Sequence, residues 1–265
     1  MQPDQDPARW DAHVAGYERV FEPLTGQFAS HALRALAPLA GLDVLDLGAG
    51  AGGAALLAAR AGARVTAIDA SPGMVARIAE RAAALPVTAS VQDGMALTLA
   101  DASMDRALSC FGVVLFPDPS RGMAELHRVL RPGGRVAIVT WTEPHRYELA
   151  ARLRDATISV RGEPPAGELP AQLRFIDPAR LIALAADAGF TAVRVERVEA
   201  TLHYPSAIGL AAALGFAPGM AAMLDALGPD RAAVLDAFTA GLVRDFGKGP
   251  VTLGAVAHLA IGGRT

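Results

Sequence analysis

The chain reads as an α/β protein built on a doubly wound, mostly parallel sheet. Short apolar runs alternate with Ala- and Leu-rich helical stretches at the spacing of right-handed β-α-β crossovers. The first apolar run ends in a glycine cluster that opens a helix, and later helices start on Ser-Pro or Asp-Pro and stop on glycine. Seven apolar runs can be counted as strands.

Taken in order, residues from about Trp10 to Ala37 have a helical pattern, with Trp10, His13, Tyr17 and Val20-Phe21 on one face. Pro23 and Gly26 are expected to divide it into two helices. Strands are predicted at 43–47, 64–68, 87–91, 104–110, 135–141, 191–198 and 256–261. Between them, helices are predicted at 54–61, from Ser71-Pro72 to about Leu85, at 120–130, and from Asp177-Pro178 to Ala188. Two or three more lie within 206–246, and 143–175 is expected to hold only short helical pieces among its prolines and glycines. The whole of 1–265 is read as one domain. Its core is about 40–142, 177–198 and 251–265, and segments 1–39, 143–175 and 205–248 cap the ligand edge of the sheet.

Composition narrows the function. A net charge of −3 supplies no basic field for phosphate backbones, so nucleic acid is not expected as a partner. Lys248 is the only lysine, a compositional bias and not a functional signal. Cys110 is the only cysteine, which excludes an internal disulfide. With scattered histidines, it also leaves no metal-ligand spacing. The start, Met1-Gln2-Pro3-Asp4-Gln5-Asp6, is polar, and no apolar run is long enough to span a bilayer. The expectation is a cytoplasmic protein with no membrane or metal partner, monomeric or homodimeric.

The chemistry is expected at the loop after the first strand, because ligands of doubly wound sheets bind beyond the carboxyl ends of the strands. Gly48, Gly50 and Gly52 let a ligand approach the backbone. The glycines alone also fit a dinucleotide loop. Asp46 separates the two readings: a carboxylate there opposes a pyrophosphate and welcomes a cation.

Val44-Leu45-Asp46-Leu47-Gly48-Ala49-Gly50-Ala51-Gly52 resembles the first motif of the class I S-adenosylmethionine-dependent methyltransferases. The stretches Ser109 to Asp118 and Arg128-Val129-Leu130-Arg131-Pro132-Gly133-Gly134-Arg135 resemble the menaquinone/ubiquinone-methyltransferase-like branch of that family. The resemblance is strong over about 40–142 and looser beyond. It implies a Rossmann-like methyltransferase fold with an antiparallel last strand, and S-adenosyl-L-methionine as cofactor. It also implies that Asp69 meets the ribose hydroxyls, that Asp93-Gly94 lie at the adenine amino group, and that Met74 packs on adenine. Ala70 and Phe111 complete the cofactor's surroundings, and Tyr17 supplies a hydroxyl. Many relatives carry Cys and Thr where this chain has Ala49 and Ala51, so a side-chain contact to the cofactor's carboxylate is absent.

Methyl transfer from a sulfonium mainly requires alignment and exclusion of water. A general base is needed only for some acceptors. His145 and His203, beyond the fifth and sixth strands, are the candidates. His13 could line the pocket, and His127 is read as structural. Phe216, Met220, Met223, Phe238 and Phe246 at helical spacing suit a small, partly apolar acceptor. The alternative is a protein of this fold that binds the cofactor but catalyses a non-methylating reaction.

Overall fold

A computed structural model of the chain describes residues 1–163 and 170–265. The part of the expected 143–175 cap at 164–169, with Pro164-Pro165 and Gly167, lies outside the described residues.

After short turns at Pro7–Asp11, Val14–Gly16 and Tyr17–Phe21, helix α1 spans Glu22–Leu36. Strand β1 is Asp43–Leu47, followed by α2 (Gly53–Arg60), β2 (Arg64–Asp69), α3 (Pro72–Ala82), β3 (Val87–Val91) and β4 (Met104–Cys110). Then come α4 (Pro119–Val129), β5 (Leu130–Trp141), α5 (Glu148–Arg161), α6 (Pro178–Asp187) and β6 (Thr191–Tyr204). Helices α7 (Ala207–Ala212), α8 (Pro218–Ala226) and α9 (Arg231–Phe246) precede β7 (Val251–Gly263).

The strands form one sheet of order β3-β2-β1-β4-β5-β7-β6. Strands β1 to β5 pair in parallel, and β7 runs antiparallel to both β5 and β6. The doubly wound fold and antiparallel last strand are as expected. One face of the sheet is covered by α1, α2, α5, α7 and α9, with Leu24, Phe28, Leu153, Leu210 and Phe238 buried there. The other is covered by α4 and α6 through Met123, Leu126, Leu181 and Leu184. Central strands buried on both faces need the near-continuous apolar runs that the sequence carries.

Four expectations are corrected. Pro23 and Gly26 do not divide a helix: both lie inside α1, Pro23 in its first turn where its missing N–H costs least. The irregularity falls just before it, at Tyr17–Phe21, a π-type turn in which the Glu22 N–H donates to the Tyr17 carbonyl. Strand β5 starts at Leu130, five residues early, because Leu130 pairs with Met104. The Pro132-Gly133-Gly134 stretch is a bulge within the strand, with Gly133 at φ +80° and its N–H donating to the Arg264 carbonyl. Strands β6 and β7 extend to Tyr204 and from Val251, because they pair as one long hairpin arm through Tyr204–Val251. The 143–175 cap contains α5, a 14-residue helix, where only short pieces were expected.

The carboxyl ends of β1 and β4 are tied together by one hydroxyl. Ser109 Oγ donates to the Leu47 carbonyl at 2.6 Å and accepts from the Val113 N–H at 2.9 Å. Ser109 is fully buried, so Ser109→Ala would leave both backbone groups unpartnered. The expected cost is about 1–3 kcal/mol, seen as a lower urea midpoint with unchanged slope.

Candidate functional site

The five parallel strands all end at one edge, and a cavity of about 610 Å³ opens along it. Its floor follows the sheet order. Asp93 and Gly94 lie beyond β3, Asp69 and Ala70 at β2, and Gly48 and Gly50 beyond β1. Cys110, Phe111 and Gly112 follow at β4, with Trp141 and Tyr147 at β5. The N-terminal segment covers it with Trp10, Tyr17 and Phe21, and α8 with the residues just before it covers it with Phe216 and Met220.

The glycine loop has the shape expected of it, with a division of labour among its members. Gly48, Gly50 and Gly52 all have positive φ, +71°, +55° and +93°. A Cβ on Gly48 would lie 2.8 Å from the Gly112 Cα, and one on Gly50 would lie 3.0 Å from the Tyr17 hydroxyl. Gly52 faces Ile78 in the core and does not line the cavity. Ala49 is buried below the loop, on a small void shared with Asp46, Glu22, Thr25 and Cys110.

Asp69 holds the loop. Its Oδ2 accepts from the Gly50 N–H at 2.8 Å and its Oδ1 from the Ser71 N–H at 2.9 Å. Burial raises its carboxyl above the usual range, although these backbone bonds pull it down. Asp93 is at the exposed rim, where Oδ1 accepts from the Met95 N–H. Gly94 is buried, and a Cβ there would collide with the Phe116 ring. Met74 is buried and lines the cavity.

Asp46 does not line the main cavity. It sits beneath the loop, 1% exposed, on the small void. Its Oδ2 is buried with no hydrogen-bond partner. Burial, then the neighbouring Asp69, push its pKa up to about 7. Tyr17 lies over the loop and lines both spaces; burial raises its hydroxyl, which bonds to the Thr25 side chain.

Neither expected base reaches the cavity. His145 is exposed in the short turn Pro144–Arg146. His203 is exposed on edge strand β6, its Nδ1 3.2 Å from the Thr252 hydroxyl. Both were placed by their position at strand ends, but β6 lies at the far side of the sheet, separated from β5 by β7. His13 bonds to the Arg9 carbonyl and is not in the lining. His127 packs edge-on to Phe190 and has a structural role, as expected.

At the aromatic end of the site, sequence reasoning named Phe111, Phe216 and Met220 but missed Trp141, Tyr147 and Phe21. Trp141 stacks on Tyr147 with centroids 4.5 Å apart and meets Phe111 in a tilted contact at 4.4 Å, while Phe21 stacks on Phe216 at 5.1 Å. Phe111 holds φ +60°, a conformation uncommon for a bulky side chain. Trp141 closes a predicted strand and could have been placed at the edge by that fact. Tyr147 had no such signal. Among the described residues no helix is long and apolar enough to cross a membrane, and no cluster of His, Cys, Asp or Glu could hold a metal ion.

A seven-stranded sheet of this order, with a glycine loop at β1 and an acid at the end of β2, defines the class I methyltransferase fold. Comparison with known proteins agrees: residues 45–138 match the family described as methyltransferase domain. An uncharacterized protein of Mycobacterium tuberculosis is 34% identical over 177 residues, 62% of this chain and 64% of that one. A demethylmenaquinone methyltransferase of Clavibacter sepedonicus is 34% identical over 112 residues, 42% of this chain and 46% of that one. The chain thus spans less than two thirds of the length of these relatives. Haemonchus contortus phosphoethanolamine N-methyltransferase 2, solved with phosphomonomethylethanolamine and S-adenosylhomocysteine, shares the fold with a TM-score of 0.59. It is 18% identical, over 97% of this chain and 58% of that one. Residues 45–138 thus carry the match to the methyltransferase domain family, on a fold that the solved methyltransferase shares.

The buried Asp46 predicts a pH dependence. Its pKa is about 7 in the fold against 3.8 for the free side chain, so between those values the folded chain holds a proton that the unfolded chain releases. Stability is therefore present at low pH and falls as pH rises through about 4 to 7. Asp46→Asn should remove that part of the slope. Relative to wild type, the variant should gain roughly 2–4 kcal/mol between pH 4 and pH 8, read from urea unfolding at each pH. An offset between the two proteins that stays constant with pH would contradict the buried, protonated carboxyl.

Proposed function

We propose that the chain binds S-adenosyl-L-methionine over the carboxyl ends of β1 to β3 and passes its methyl group to a small, partly apolar molecule at the ends of β4 and β5. The observation that carries this reading is the continuity of the cavity. One space runs from Asp93 and Asp69, past the glycine loop, to Phe111, Trp141 and Tyr147. Its volume of about 610 Å³ lies within the usual range for small-ligand sites, about 300–1,000 Å³. The relatives named as methyltransferases support it.

The residues present suit this cofactor. Asp46, with an unpaired buried oxygen beneath the loop, lacks a cation, and the donor carries both an ammonium and a sulfonium. Ionised by such a neighbour, Asp46 would give back the cost of its burial. Asp69 would take the ribose hydroxyls and Asp93 the adenine amino group. Met74, Ala70 and Gly94 would wall the ring, and Gly48 and Gly50 would let the methionine part approach the backbone. Tyr17 would close over that part from above, with Ala49 below and Gly52 keeping the loop's turn.

When bound, S-adenosylmethionine supplies a methyl group already activated for in-line displacement by a nucleophile. The protein's own contribution is alignment, which can be worth roughly 7–11 kcal/mol. Phe111 and Trp141 hold the two partners apart from bulk water, and Tyr17 and Trp10 cover them. His145 and His203 stand outside this arrangement, so neither serves as its general base. The free thiol Cys110 suits a reducing, cytoplasmic compartment.

Calorimetric titration with S-adenosylhomocysteine is the direct test, with NADH as the control. Binding of the first and not the second is expected. Asp69→Ala should weaken it by about 10- to 150-fold, as for a lost bond to a charged group, with the far-UV spectrum unchanged. Equal affinity in the variant would overturn the ribose assignment, and binding of NADH alone would overturn the whole reading.

A further inference from the structure

Beyond the glycine loop, the cavity changes character. At the ends of β4 and β5 it is walled by two stacked aromatic pairs, Trp141 on Tyr147 with planes 10° apart and Phe21 on Phe216 with planes 26° apart. Met220 of α8 completes the wall. Rings arranged in this way offer flat, polarizable surfaces that favour a flat apolar guest.

Charge narrows that guest further. Among the described residues, no arginine, lysine or histidine side chain lines the cavity. Its acids are already engaged by backbone donors: Asp4 by the Gly219 N–H at 2.6 Å, Asp69 by those of Gly50 and Ser71, and Asp93 by that of Met95. A carboxylate or phosphate buried at the aromatic end would find no counter-charge on any side chain of the lining, which is unfavourable. One polar group there is unspent. The Tyr147 hydroxyl is buried and has no hydrogen-bond partner, although such groups are nearly always paired. Burial also keeps this phenol protonated, so it can donate a hydrogen bond but cannot take a proton from an acceptor.

We infer that the aromatic chamber takes a flat, uncharged, largely apolar methyl acceptor, with one oxygen or nitrogen held by the Tyr147 hydroxyl. The inference rests on the placement of the cofactor over β1 to β3, which leaves the β4 and β5 end for the acceptor. Tyr147 is thereby the residue that orients the acceptor. Selection against anions is the consequence of a lining without cations.

The test uses the full chain and two probes of equal shape, 2-naphthol and 2-naphthoate, titrated calorimetrically with and without saturating S-adenosylhomocysteine. The naphthol should bind at least tenfold tighter than the naphthoate. Tyr147→Phe should weaken the naphthol roughly tenfold and leave affinity for S-adenosylhomocysteine unchanged, which also shows that the variant is folded. Met220→Lys, a change at a half-buried lining position, should shift preference toward the naphthoate. Equal or tighter binding of the naphthoate to wild type overturns the inference, as does naphthol binding indifferent to Tyr147→Phe. If the naphthol binds as stated while S-adenosylhomocysteine does not, the chamber stands and the cofactor reading falls. The reverse result sinks the chamber alone.

Discussion

Two backbone segments, leaving the carboxyl ends of adjacent parallel strands, pass so closely that neither can carry a side chain. A Cβ on Gly112 would lie 2.8 Å from the Leu47 carbonyl and 3.0 Å from the Gly48 Cα, and the converse contact is 2.8 Å. This approach fixes the path of the glycine loop on one side and of the segment after β4 on the other. Ser109 locks it by bonding to both segments. With Gly112 held there, Phe111 is left at φ +60°, its ring tilted over Trp141. A backbone in that region costs about 1–3 kcal/mol and persists only where its surroundings impose it. The same contact thus shapes the glycine-loop end of the cavity and the beginning of its aromatic end.

The covering segment is coupled to the same loop by charge. Asp11 Oδ1 accepts from the Ser71 hydroxyl and, at 2.8 Å, from the Gly73 N–H, so it adds to the cap of α3. Seven residues on, Glu18 pairs with Arg77; Arg81 reaches both Glu22 and the Ala51 carbonyl of the loop. Individually, such half-exposed pairs are weak. Together they set the rotation of the chain that carries Tyr17 and Phe21. The π-type turn imposed ahead of Pro23 lies between these anchors, where both aromatic residues cover the cavity.

Much of this was legible in the sequence. Gly48 and Gly50 announced positive φ and close approach, Ser71-Pro72 announced a helix start, and the order of Asp46, Asp69 and Asp93 announced successive strand ends. What could not be read depended on contacts between distant residues. Gly52 looked like part of the binding loop, but the residue that requires it is Ile78 in α3. His203 looked well placed at a strand end, yet β6 runs on through it, and strand order, which local patterns do not encode, puts β6 at the far edge; His145 follows β5 but sits on an exposed turn. Tyr147 follows a proline turn with no periodicity to mark it, and its importance appears only once Trp141 is stacked on it. Antiparallel pairing lengthened β6 and β7 beyond their apolar runs, since ladder bonds can carry a strand past the point where its sequence is apolar.

The electrostatics of the site follow from the depth at which its acids lie. Asp46 and Asp69 are both buried, and lost hydration raises both carboxyls; the charge of Asp69 adds to the rise at Asp46, and that of Asp11 to the rise at Asp69. Asp69 recovers part of that cost from two backbone donors, whereas Asp46 leaves an oxygen unpaired. An arrangement of this kind opposes a second anion and favours a cation arriving above it. It separates the present loop from one that cradles a pyrophosphate, although the glycines are spaced alike. At the other end of the same cavity the lining is made of rings, Met220 and one unpaired hydroxyl, and holds no arginine, lysine or histidine side chain. A cationic donor and an uncharged acceptor would therefore be sorted along the cavity by its own field, before any contact specific to either is made.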